Sequence, residues 1–170
     1  MFRMRKKTNI ILTGMPGFGK STVGVILAKE LCMDFVDTDI LIQSQERTTL
    51  QNIIDMRGLD AFLSLEEHCV MGLDVTETVI APGGSVILNG KVMTFLKQSG
   101  IVVFLYVPVD IIKPRIVLYT RGTVRQPGET LDDVWRQREP LYRFYADLIV
   151  ECGMMNQMEI ARFVVEHVNI

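Results

Sequence analysis

Short runs of consecutive apolar residues alternate along this chain with longer stretches in which apolar positions recur every three or four residues. The runs Asn9–Thr13, Asp34–Val36, Thr78–Ala81, Ile101–Val107 and Leu148–Val150 predict five strands. Helical spacing covers 20–32, 38–45, 49–56, 58–72, 90–99, 109–118, 131–145 and 156–168. In the first helix Val23, Ile26, Leu27 and Leu31 fall on one side. Strands and helices taken in turn predict an α/β fold, a parallel sheet with helices on both faces. One stretch, Tyr119–Glu129, fits neither period. It is polar, contains glycine and proline, and carries Arg121 and Arg125, so it reads as a lid over about 119–130.

A chain of 170 residues suits a single domain with a continuous core. The formal charge of −2 is weak, and apart from Arg3-Met4-Arg5-Lys6-Lys7 the basic residues are scattered, so no face for nucleic acid is expected. The apolar run after that basic start is too short for a secretory signal. No apolar stretch approaches the length of a membrane span. These features predict a cytoplasmic monomer with a small-molecule partner and neither nucleic acid nor membrane. Cys32, Cys69 and Cys152 form no C-x-x-C pair and read as reduced core thiols.

Chemistry enters with Gly14-Met15-Pro16-Gly17-Phe18-Gly19-Lys20-Ser21-Thr22, which fits the phosphate-cradling pattern G-x-x-x-x-G-K-[ST]. A strand precedes it and a helix follows, the context such a loop needs. Gly14, Gly17 and Gly19 let backbone N–H groups turn toward phosphates, Lys20 brings a mobile positive charge, and Ser21 and Thr22 open the helix with Ser21 as a Mg²⁺ ligand. The expected cofactors are ATP and Mg²⁺. Asp37-Thr38-Asp39 ends the second strand at the sheet edge where parallel α/β folds bind ligands. One carboxylate there can serve the metal and the other can take a hydrogen bond from a substrate hydroxyl, although either Asp can equally cap the next helix. Ala81-Pro82-Gly83-Gly84-Ser85 follows the third strand with no acidic residue, so Asp37 becomes the candidate partner for Mg²⁺. Arg138 precedes Pro140 in the last long helix and reads either as a cleft residue or as a surface charge.

Other residues carry plainer readings. His68 and His167 have no ligand-spaced partners and read as solvated. The methionines read as core filler, and Trp135 and Tyr142, at i and i+7, as packing on a common helix face.

In this order the motifs resemble the shikimate kinase family over nearly the whole chain: Gly14–Thr22, then Asp37–Asp39, then Gly58 with Phe62 and Glu66, then Ala81–Gly84, Arg121, and Arg138–Asp147. The resemblance implies a five-stranded sheet of order 2-3-1-4-5, ATP with Mg²⁺, a substrate-binding region over about 38–75 and a closing lid. It implies Asp37 in the Mg²⁺ shell and Asp39 on the substrate hydroxyls. Arg138 would hold the substrate carboxylate beside the Gly83–Gly84 turn, and Arg121 the phosphates. Lys20, Asp39 and Arg121 would form the catalytic set. The implied reaction converts shikimate to shikimate 3-phosphate, a step of aromatic amino-acid biosynthesis.

Three departures fall at the acceptor end. Leu63 stands where the family carries a second carboxylate-clamping arginine, and losing such a charge-assisted contact costs about 1.5–3 kcal/mol. Arg57 lies about 600° of helix turn away from Leu63, so it replaces that arginine only where the helix starts later or its side chain reaches around. Ser85 replaces a third glycine and can add a hydroxyl to the site. Arg121-Gly122-Thr123-Val124 replaces a more apolar lid sequence and predicts looser closure. Leu63 also raises an alternative acceptor, another polyhydroxy acid such as gluconate. A nucleoside monophosphate kinase fits these motifs less well. A non-catalytic nucleotide-binding relative is disfavoured by the intact Lys20, Ser21, Asp37 and Arg121.

Overall fold

The computed structural model describes residues 8–118, 124–125 and 128–168, without the side chains of 115–118. Strands β1 (Asn9–Thr13), β2 (Asp34–Asp37), β3 (Thr78–Ala81), β4 (Gly100–Tyr106) and β5 (Leu148–Glu151) pair in parallel in the order β2-β3-β1-β4-β5. Helices α1 (Lys20–Leu31), α2 (Thr38–Glu46), α3 (Leu50–Arg57), α4 (Leu59–Met71), α5 (Gly90–Ser99), α6 (Val109–Leu118), α7 (Leu131–Tyr145) and α8 (Gln157–His167) flank this sheet. β1 is central and buried along its whole length. Its apolar centre, Ile10-Ile11-Leu12, is what a parallel strand covered on both faces requires.

Register brings three loops together. Asp37 pairs with Ala81 across β2 and β3, and Ile11 pairs with Ile80 across β1 and β3. All three strands run the same way, so the chain leaves β1, β2 and β3 at one edge of the sheet. The main core gathers β1, β3 and β4 with one face each of α1, α5 and α8. A second, smaller cluster of Ile42, Leu50, Ile53, Phe62 and Val124 ties α2, α3 and α4 to a residue within the expected lid.

The expected elements are all present, with ends shifted by a residue or two. β4 starts one residue early, at Gly100, where an added Cβ would lie 2.3 Å from the Asn9 carbonyl oxygen. A bare Cα is needed for that pairing, and glycine is a poor strand signal, so composition hides it. A short 3-10 turn at Val86–Leu88 was not expected. The cysteine reading is corrected: Cys152 is buried, Cys69 is partly buried, and Cys32 is exposed as the C-cap of α1. So is part of the methionine reading, since Met15 and Met93 are core while Met56 and Met154 are largely exposed.

Candidate active site

The loop from β1 to α1 is built by glycines in conformations other residues avoid. Gly14 has φ +145° with an added Cβ only 2.9 Å from the Leu105 carbonyl oxygen, and Gly19 has φ +96° as N-cap of α1. No side chain caps α1 and no acid occupies its first turn. Its free N–H groups and positive dipole end therefore remain available to an anion. Lys20 folds back over its own loop, its Nζ donating to the carbonyls of Gly14 at 3.0 Å and Met15 at 3.2 Å. Burial pushes the Lys20 ammonium down, against the opposing pull of Asp39 and Asp37.

Asp37 caps α2 and at the same time faces Ser21. Its Oδ1 accepts from the backbone N–H of Ile40 at 3.1 Å, capping α2, while its Oδ2 accepts from the Ser21 hydroxyl at 2.5 Å. The serine and the aspartate thus meet at the cleft as a pair of hard oxygen donors, the type Mg²⁺ takes. Among the described residues no group of three or more His, Cys, Asp and Glu is placed to hold a metal ion. Between the two acids, the buried Thr38 hydroxyl oxygen accepts from the Gly83 N–H at 3.2 Å, fastening the glycine turn to β2. Burial pushes the Asp39 carboxyl up to about 6, with Asp37 adding to that rise and Lys20 opposing it.

The opposite end of the cleft is dominated by Arg138. It is 2% exposed, and its Nη2 donates to the carbonyl of Val124. Its Nε and Nη1 are buried without a hydrogen-bond partner. The surface-charge reading of this arginine is therefore excluded. A buried guanidinium with two vacant donor atoms is matched by an anion with two acceptor oxygens. One turn further along α7, Tyr142 stacks on Phe104 at 5.0 Å and its hydroxyl donates to the Gly84 carbonyl at 3.0 Å. Burial pushes that phenol up to about 12.

These groups line one cavity of about 430 Å³. Of the sequence candidates, Gly17, Gly19, Lys20, Ser21 and Thr22 border it from the loop, Asp37 and Asp39 from α2, and Gly83, Gly84 and Arg138 from the acceptor side. Gly14 lies beneath the loop against Leu105 and does not line the cavity. Arg121 lies outside the described residues, as do Gly122 and Thr123. Val124 is 6% exposed within the apolar cluster of α2, α3 and α4, so at this position lid packing is retained rather than lost. Leu63 borders a second cavity of about 300 Å³ instead of the first. Arg57 is paired with Glu46 at 2.6 Å and does not line the cleft, so it does not replace a missing clamp.

Glu66, named in the sequence only as part of the family motif, lines the cavity without an assigned role. Glu66 is 3% exposed, and burial pushes its carboxyl up to about 7 against the hydrogen bond from Ser85. Its Oε1 and Oε2 both lie within hydrogen-bond distance of the Ser85 hydroxyl, at 2.8 and 2.7 Å. The available signal was its position: Phe62, Glu66 and Val70 occupy the buried stripe of α4, so an acid stands where the pattern calls for an apolar residue. The plain readings of the histidines hold, since His68 and His167 are exposed and each ring contacts a carbonyl one turn back in its own helix.

The shikimate kinase family model matches residues 16–169. A shikimate kinase of Alteromonas mediterranea is 34% identical over 171 residues, covering 98% of this chain and 100% of its own length. Shikimate kinase 2 of Escherichia fergusonii is 34% identical over 148 residues, covering 84% of this chain and 82% of its own. Among solved structures, shikimate kinase from Acinetobacter baumannii in complex with shikimate superposes with a TM-score of 0.86 at 32% identity, covering 96% of this chain and 93% of that one.

Proposed function

Because the chain belongs to the shikimate kinase family, whose members use ATP, we propose that it transfers the γ-phosphoryl group of ATP to a ring hydroxyl of shikimate. The carrying observation is Arg138. It lines the cavity that also holds Asp39 and the phosphate-binding loop and keeps two buried donor atoms unpartnered, which supports an acceptor with a carboxylate at one end and a hydroxyl at the other. The A. baumannii relative was solved with shikimate bound, a molecule of that chemistry.

The α1 N-terminus and the turning loop receive the phosphates, and Lys20 leaves the Gly14 and Met15 carbonyls to meet them. Ser21 and Asp37 would hold Mg²⁺, which supplies charge neutralisation at the β- and γ-phosphate oxygens when bound. Asp39 accepts the hydrogen bond of the attacking hydroxyl and orients its oxygen. A bond forms from that oxygen to the γ-phosphorus, the bond from phosphorus to the bridging oxygen breaks, and the hydroxyl proton leaves by way of Asp39. Arg138 anchors the carboxylate beside the Gly83–Gly84 turn, and Arg121 arrives with the lid at 119–130 to meet the phosphates. The chain acts as one domain with an acceptor region at 38–75, as a cytoplasmic monomer that engages neither nucleic acid nor membrane. Among the described residues no helix is long and apolar enough to cross a membrane.

The test is ADP release with ATP and Mg²⁺ across shikimate, gluconate, other sugar acids and nucleoside monophosphates. Shikimate should give the highest kcat/KM. A higher value for gluconate or any other panel member overturns the assignment.

A further inference from the structure

The Glu66 carboxyl is buried in the acceptor cavity, and among the described residues no cation is ion-paired or hydrogen-bonded to it. Arg138 and Lys20 pull on it only through space, as the weaker influences beside burial and the neighbouring Asp39. Lys20 on α1 is bonded to its loop, Lys91 on α5 pairs with Glu67, and Arg138 on α7 donates to Val124. Leu63, one turn before Glu66 on α4, is apolar. A second acid crowds the same spot: a Cβ added to Gly83 would lie 2.2 Å from Glu66 Oε1 and 2.8 Å from Asp39 Oδ1. Tyr142 on α7 keeps its proton, and Cys69 on the same helix as Glu66 is pushed up by burial, so both stay neutral and neither changes the charge around Glu66. Two buried carboxyls this close disfavour double ionisation.

The hydrogen-bond inventory points the same way. Ser85 has one proton to give, yet both Glu66 oxygens lie within 2.8 Å of its hydroxyl oxygen. Against an ionised carboxylate the two contacts would have to share that one proton as a three-centre bond. A protonated one satisfies both, the serine donating to one oxygen and the acid donating back from the other.

Resting on shikimate as the acceptor, we propose that Glu66 is carried as a neutral acid in a reciprocal pair with Ser85, and that this proton, in place of a second cation, lets the acceptor carboxylate enter opposite Arg138. The pair lines both the acceptor cavity and the second cavity bordered by Leu63. Acceptor binding is then proton-coupled: a carboxylate arriving beside Glu66 favours the protonated form, and ionised Glu66 repels it. Glu66 acts here as a specificity residue for acids.

Two measurements test this. The first needs no acceptor: the side-chain carboxyl carbon of Glu66, assigned by the loss of its signal in Glu66→Gln, is followed by NMR through a pH titration. Its midpoint should lie near neutrality, and Leu63→Arg should move it well into the acid range. A wild-type midpoint below about pH 5.5 overturns the proposal. The second is KM for shikimate at saturating ATP. It should rise roughly fivefold or more between about pH 6 and 8.5 in the natural protein, and that rise should be lost in Glu66→Gln, which keeps Asp39 and every other titrating group and so shows their share of the profile. A flat wild-type profile, or a Glu66→Gln KM raised at every pH, overturns the coupling and makes Glu66 an ionised partner of a substrate hydroxyl. A near-neutral midpoint with no shikimate turnover at any pH would instead discard the acceptor assignment and leave the proton pair standing. If Leu63→Arg does not fold, the wild-type and Glu66→Gln measurements still decide.

Discussion

Asp37 holds two positions at once, and the chemistry of its side chain lets the two be separated. As N-cap of α2 it needs only an acceptor oxygen, which asparagine supplies about as well. As partner of Ser21 at the proposed Mg²⁺ site it needs negative charge. Asp37→Asn should therefore melt within a degree or two of the natural protein while needing about tenfold or more Mg²⁺ for half-maximal turnover. An unchanged magnesium titration would remove Asp37 from the metal site, and a large drop in Tm would show that the cap needs the charge. From sequence alone cap and ligand looked like competing readings, because a motif gives no distances. Arg138 was undecided between cleft and surface for a related reason: whether an arginine on a helix is 2% exposed depends on what packs over it, here Val124 and α7 itself.

At the scale of elements the glycine turn after β3 acts as a floor with two sides. A methyl on Gly83 would meet Glu66 and Asp39, whereas a methyl on Gly84 would meet the Pro16 ring at 2.8 Å. Neither site has room, and overpacking of this kind costs about 1–3 kcal/mol. The cost should appear at different substrates. Gly83→Ala should raise KM for the acceptor about tenfold while leaving that for ATP nearly unchanged. Gly84→Ala should do the reverse by displacing the phosphate loop. Steady-state kinetics varying each substrate in turn decides, and equal effects on both constants in both variants would refute the two-sided floor. Periodicity located every strand and helix around this turn, because parallel strands and amphipathic helices imprint their burial on the chain. It missed the Val86–Leu88 turn and the Gly100 start of β4, where the governing fact is a close approach between distant residues. The strand order came from resemblance to a family and not from the pattern of residues, since alternating elements are compatible with several orders.

Across the whole molecule, an acid in the acceptor cavity makes stability depend on pH. Burial raises the Glu66 carboxyl from 4.5 to about 7, so the folded state binds its proton more tightly than the unfolded chain does. For a group shifted upward the contribution is fully present below the unfolded value near 4.5 and disappears as pH rises through about 7. The ligand-free protein should lose up to about 3 kcal/mol from this source across that window, as linkage prescribes. Other groups titrate over the same range, Asp39 among them, so the natural protein alone cannot isolate the effect. Glu66→Gln can, because it keeps the shape and the Ser85 contact while removing the titration. The stability difference between the two forms, from urea unfolding without nucleotide or acceptor, should be small near pH 5 and should favour the glutamine variant increasingly toward pH 8.5. A difference independent of pH would mean that Glu66 stays ionised in the fold, and a difference favouring the natural protein at high pH would mean that a cation holds it there.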